Sequence, residues 1–290
     1  MCVGGTPEAE TGAAVTAEGL GVRGSHGWAF RGAGIAADSG ALIAIEGPSG
    51  SGRTSLLLTL TGRMRPTEGH GAVGGFRVPQ QMARIRRFSA LAHVPGVSEL
   101  DPVLTVAEHL RERALLRRRF ADSPRGLLRP RRERAAASRA GIDAALTAAG
   151  LDLDTLPKGP RTAVRDLERL EALRLSIALA LIARPRLLAV DDADMKLSDT
   201  ERKRAWALLR EIAEGGTTVL AVCSQAPADA VVVRTARKSP AEESRKSHEA
   251  DADTSGTPSA DEAAHEAAHG AGPDENEKGA ADALAETRRA

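Results

Sequence analysis

The residues whose types and spacing could do phosphate chemistry lie between Gly47 and Ser55, in the run Gly-Pro-Ser-Gly-Ser-Gly-Arg-Thr-Ser. Gly47, Pro48, Ser49, Gly50, Ser51 and Gly52 make a glycine-rich turn. The spacing is G-x-x-x-x-G-[K/R]-[S/T], with Arg53 where the pattern has lysine and Thr54 where a hydroxyl ligates Mg²⁺. Such a turn cradles an anion because its backbone N–H groups point inward and the next helix presents its positive end. Glycine is common here, 29 of 290 residues, so a glycine pair alone is weak evidence. Gly50, the hydroxyl pair Thr54 and Ser55, and the flanking strand and helix make the pattern specific. Arg186-Leu-Leu-Ala-Val-Asp-Asp is the second such stretch. It reads as a buried strand lying beside the one that feeds the turn. Asp191 can then hold Mg²⁺ through water, and Asp192 sits where a base polarises an attacking water.

The elements around these stretches follow from pattern. Ala41 to Ile45 has the length and β-branched content of a buried strand, and Ser55-Leu-Leu-Leu-Thr-Leu begins a helix. Gly62 and Pro66 end that helix. Residues 20–37 and 70–95 suit short edge strands, with Trp28 and His26 as core residues or as a stacking surface for adenine. Thr105 with Glu108, and Ser198 with Glu201, are capping boxes that open helices, the second running through Glu214. Ile142 to Leu153 reads as a short amphipathic helix, and Arg165 to Ala183 as a long one ended by Pro185. Thr217 to Cys223 and Ala230 to Val233 are further strands. Strand and helix in alternation predict a mainly parallel sheet flanked by helices.

Composition sets the outer limits. Hydrophobic residues are 42% of the chain and aromatics 2%, so the core must be aliphatic. A formal net charge of +1 gives no global drive toward nucleic acid or anionic membrane. The eleven arginines from Arg111 to Arg139 read either as a contact patch for acidic lipid, protein or nucleic acid, or as a solvated helical face, which is favoured. Phe120 is the lone aromatic among them, whereas a single-strand-binding surface interleaves aromatics. Cys2 and Cys223 form no metal or redox spacing, and no lipoprotein or secretory signal precedes them, so a reducing cytoplasm is expected. No apolar run reaches the ~20 residues of a membrane-spanning helix. Residues 1–17 and 237–290 read as a flexible tail and a disordered acidic Ala/Glu-rich tail. A zinc site on His265 and His269 is not expected in so polar a setting.

From about Leu20 to Val233 the chain resembles the ATP-binding subunit of ATP-binding cassette (ABC) transporters. Gly40 to Gly69 is the closest part, and Leu181 to Asp192 the next. The resemblance implies an α/β P-loop NTPase fold over 18–236, with an antiparallel β edge and an inserted helical subdomain at about 97–165. It implies Mg-ATP on Gly47 to Ser55, Mg²⁺ on Thr54 and Asp191, and Asp192 as the catalytic carboxylate. It also implies a membrane permease as partner, a homo- or heterodimer of ATP-binding subunits, and a peripheral place on the inner face of the cell membrane.

The departures from the family pattern are specific. Arg53 replaces lysine, Gly96 a glutamine, Asp192 a glutamate and Ser224 a histidine. The family's Leu-Ser-Gly-Gly-Gln signature, which binds the γ-phosphate of a partner's ATP, falls on Leu167-Glu168-Arg169-Leu170-Glu171. Two carboxylates there would face a triphosphate. Like charges about 4 Å apart cost about 4 kcal/mol at an effective dielectric of about 20. The sequence therefore points to ATP binding in a transporter complex with weak or partner-dependent hydrolysis. The alternatives are a catalytically inactive regulatory or structural cassette and, less favoured, a soluble nucleic-acid-associated P-loop ATPase.

Overall fold

Parallel strands covered on both faces need near-continuous apolar runs, and four runs in the chain supply them. They are β3 (Leu42–Glu46), β7 (Leu187–Val190), β8 (Thr218–Cys223) and the short β6 (Ser89–Leu91). With β9 (Val231–Arg234) they form a five-stranded parallel sheet in the order β6-β7-β8-β3-β9. The computed structural model describes residues 12–25, 27–121 and 130–235. His26 and residues 237–290, with His265 and His269, lie outside them.

Side-chain alternation sorts each strand between two cores. Leu42, Ala44, Leu188, Val190, Val219 and Ala221 face one core, together with α5 (Arg169–Leu181) and α6 (Asp199–Glu214). Ile43, Ile45, Leu187, Ala189, Leu220 and Val222 face the other, with α1 (Arg53–Leu60) and an antiparallel sheet. That sheet has the order β2-β1-β4-β5, built from β1 (Val15–Gly24), β2 (Gly27–Ala37), β4 (Glu68–Val73) and β5 (Phe76–Val78). The α/β fold with an antiparallel edge is thus as expected.

Several boundaries differ from the sequence reading. β1 begins at Val15, inside the segment expected as tail, because Ala13, Val15 and Ala17 are buried against the second core. Residues 70–95 hold strands and also a helix, α2 (Met82–Phe88), whose Met, Ala and Arg are good helix formers. The helix expected at 142–153 is α4 (Arg131–Ala148). Its Ala- and Arg-rich first half has strong propensity without apolar periodicity, so the pattern shows only its second half. Gly150, at φ +60°, ends it: Leu151 N–H reaches back to the Leu146 carbonyl at 3.0 Å. β8 separates β7 from β3, so the acidic strand does not lie beside the P-loop strand as expected.

Helix α3 (Val106–Ala121) opens with the expected capping box: Thr105 N–H and Oγ1 donate to Glu108 at 2.8 and 2.7 Å. Together α3, α4 and three short 3-10 turns between Leu153 and Asp166 occupy the region expected as a helical subdomain. Among the described residues no helix is long and apolar enough to cross a membrane.

Candidate phosphate-binding site

The turn after β3 is held by contacts that only glycine permits at two points. A Cβ on Gly52 (φ +83°) would sit 2.1 Å from the Ala29 carbonyl oxygen of β2. A Cβ on Gly47 would sit 2.4 Å from Thr235 Oγ1 and 2.7 Å from the Thr235 carbonyl oxygen. Close approach of backbone to backbone therefore fixes the turn between β2 and the end of β9. Gly52 is the N-cap of α1, makes no side-chain cap, and is followed by no acidic residue in the first turn. The α1 N-terminus keeps its positive end uncovered by carboxylates of its own.

A cavity of about 630 Å³ opens on this turn. Its lining includes Gly47, Pro48, Ser49 and Arg53 from the turn and helix, Asp192 and Asp194 from the loop after β7, and Ser224 from the end of β8. Although β8 intervenes, the strand ends converge. Thr54 Oγ1 donates to Asp191 Oδ2 at 2.6 Å, and Asp192 N–H donates to Asp191 Oδ1 at 3.0 Å. Asp191 is buried. A hydroxyl and a carboxylate meeting in this way suit a hard cation that takes its remaining oxygens from water and phosphate, as Mg²⁺ does. Among the described residues no cluster of three His, Cys, Asp or Glu offers an all-protein metal cage.

Asp192 adopts φ +49°, a left-handed conformation that is uncommon outside glycine and turns its carboxylate toward the cavity. Burial, and then the charge of Asp191, hold its carboxyl above the ordinary value, against the pull of Arg53 and His93. Arg53 does not extend across the turn. Its Nη1 donates to the Cys223 carbonyl at 2.7 Å, and its Nη2 lies 4.0 Å from Asp192 Oδ1. The Cys223 thiol is pushed up to about 12, chiefly by burial, which leaves it un-ionised and unreactive.

The structure disperses some expected site residues. The Ser51 hydroxyl pairs with Thr235 Oγ1 at 2.6 Å in a buried contact, and the Ser55 carbonyl accepts from Thr59 Oγ1 at 2.7 Å. Gly50, at φ +79°, has open space around it. Trp28 does not line the cavity; Arg31 lies over its ring at 4.6 Å and Arg23 at 5.8 Å. Gly96 sits in an exposed turn at φ +72°, where a side chain is disfavoured.

Sequence reasoning missed Asp194. Buried, it accepts from Ser224 N–H at 3.0 Å, Ser224 Oγ at 2.6 Å and Gln225 N–H at 3.3 Å. Nothing local in the sequence links Asp194 to a serine 30 residues away. Two arginines of the basic run are structural rather than solvated. Arg113 Nε donates to the Leu179 carbonyl at 3.1 Å, and Arg117 donates to the Ile182 carbonyl, both at the C-terminal end of α5.

The region expected to carry the signature loop has a different character. Glu168 is the N-cap of α5, and its N–H donates to Glu171 Oε2 at 2.8 Å within a capping box. The two carboxylates thus serve the helix's own N-terminus.

Comparison with known proteins fits this geometry. The model of the ABC transporter family matches residues 31–195. A cytochrome c biogenesis ATP-binding export protein, CcmA 2, of Cupriavidus metallidurans is 31% identical over 76% of this chain and 94% of its own length. An import ATP-binding protein of Rhizobium meliloti, described as putative for ribose, galactose or methyl galactoside, is 28% identical over 62% of this chain. The chain spans only 32% of that relative's length. A dimeric bacterial ABC transporter cassette shares the fold, with a TM-score of 0.58 over 77% of this chain and 94% of that one, at 20% identity. The family model covers more than half of the chain and the Cupriavidus relative is matched along nearly its whole length, so the chain belongs to the ATP-binding subunits of ABC transporters.

Proposed function

We propose that the chain binds Mg-ATP on the turn Gly47–Ser55 and couples it to a membrane permease, with hydrolysis weak or dependent on a partner. The observation that carries this reading is the Thr54–Asp191 contact at 2.6 Å beside an uncovered α1 N-terminus. Thr54 and Asp191 would hold Mg²⁺, which neutralises phosphate charge when bound. Asp192, raised above its ordinary carboxyl value, would accept a proton from an attacking water. The rest of the catalysis would be positioning and electrostatics.

Weak turnover is supported by what surrounds the cavity. Ser224 offers no ring, and its hydroxyl already donates to Asp194. Gly96 offers no side chain. The α5 N-terminus carries the carboxylates of Glu168 and Glu171, so the phosphate site of an identical copy placed there would meet like charge. A heterodimer with a chain whose equivalent helix end is open fits better than a homodimer. The place implied is cytoplasmic, peripheral on the inner face of the membrane.

Binding of a fluorescent ATP analogue and phosphate release by the purified chain, with Asp192→Asn beside it, test the reading. Expected are saturable Mg²⁺-dependent binding and slow release that Asp192→Asn abolishes. Absence of binding at millimolar ATP would refute it.

A further inference from the structure

Arg53 is the residue in the site that the nucleotide reading least explains. A phosphate-binding cation has its donors directed at the anion. Here Nη1 is spent on the Cys223 carbonyl at 2.7 Å, and Nη2 faces Asp192 at 4.0 Å. The side chain is only 12% exposed, so this is a packed contact rather than one pose of a mobile surface arginine. Guanidinium suits the task because it is planar and carries five donors in a fixed fork, so one group can serve two acceptors set apart in direction. A lysine, a point charge on a flexible stem, has no such fork.

The acceptors belong to two different elements. Cys223 is the last residue of β8, and its carbonyl belongs to the peptide that leads into Ser224. Asp192 is in the loop after β7, next to the Asp191 that Thr54 contacts. The same two elements are tied a second time by Asp194, which takes Ser224 N–H, Ser224 Oγ and Gln225 N–H. Arg53 therefore joins the α1 N-terminus to a β7–β8 clamp that is already closed on itself.

We propose that Arg53 is a latch on the site: its contacts with the Cys223 carbonyl and Asp192 hold the phosphate turn against the ends of β7 and β8, and nucleotide must displace them to gain the arginine's charge. The inference rests on the ATP-binding reading and adds to it how the site is regulated. A triphosphate on the turn competes for the guanidinium against a neutral carbonyl and a partly exposed carboxylate. A bound nucleotide would then free the Cys223 carbonyl, and occupancy would be reported at that peptide at the β8 end while Asp194 keeps its hold on the Ser224 N–H.

Arg53→Lys tests this. Two readouts are measured on wild type and variant: affinity for a fluorescent ATP analogue with Mg²⁺, and the amide ¹⁵N chemical shift of Ser224, which reports the hydrogen bond accepted by the Cys223 carbonyl, with and without ATP. The latch requires Arg53→Lys to bind about tenfold tighter, the scale of one hydrogen bond to a charged group. It also requires the Ser224 ¹⁵N shift of the variant without ATP to differ from wild type, and that of wild type to move toward the variant's when ATP is added. Tighter binding with no such movement in wild type overturns the latch, because lysine would then merely be the better phosphate ligand. Unchanged or weaker binding overturns it as well. If wild type binds and the variant gains nothing, the ATP-binding reading stands without the latch. If neither binds while circular dichroism shows both folded, the ATP-binding reading itself falls.

Discussion

Two helix N-termini in this molecule have the same electrostatic endowment and opposite fates. The α1 end follows a left-handed glycine, makes no side-chain cap and has no acid in its first turn. The α5 end is capped by Glu168 and Glu171. Both present backbone N–H groups and the positive end of a helix. At α1 no side chain of the helix's own first turn competes for them; at α5 the Glu171 carboxylate accepts from the Glu168 N–H and adds negative charge at the helix start. The difference teaches that what a helix end offers an anion depends on the residues around it as well as on the helix dipole.

Replacing Gly52 should break the comparison most sharply. Gly52→Ala would drive a Cβ into the Ala29 backbone at a left-handed position, and should cost about 3 kcal/mol by urea denaturation while abolishing ATP-analogue binding. Thr54→Val removes the hydroxyl that Asp191 accepts from, at 2.6 Å, and should cost about 2 kcal/mol and weaken the Mg²⁺ dependence of binding. At α5, Glu168→Ala and Glu171→Ala each remove half of a cap and should cost about 1 kcal/mol by the same assay, with ATP binding at α1 unchanged.

The smallest effect concerns Asp192 and pH. Its folded carboxyl lies above the ordinary 3.8, so the folded state holds that proton more tightly than the unfolded chain does. Stability from this group is therefore lost as pH rises through the interval between 3.8 and the folded value, and the loss persists at neutral pH. Asp192→Asn should raise the urea midpoint at pH 7, and the difference should vanish below pH 3.8. A midpoint that falls at pH 7 would mean that the Arg53 contact outweighs burial and Asp191.

Much of this was legible in the order of the residues. The phosphate turn, the capping boxes at Thr105 and Ser198, and the strands at 42–46, 187–190 and 218–223 are set by contacts within a few positions or by short continuous apolar runs. The α4 boundary was not, because an Ala- and Arg-rich helix shows no apolar stripe. Reading Glu168 and Glu171 against the family signature exposed a charge conflict with phosphate. That the two glutamates cap their own helix emerged only with the fold.

By itself the sequence determined the phosphate turn, the central strands and the capped helix starts, since glycine's freedom at positive φ, short apolar runs and i, i+3 capping act over short distances. Tertiary structure decided what those residues face. It placed β8 between β3 and β7, brought Ser51 to Thr235 across 184 positions, and set Arg53 against the Cys223 carbonyl across 170. Such contacts depend on strand order and on the convergence of strand ends. No local rule encodes either, because the same strands in another order would bury the same apolar surface and present different groups to the turn.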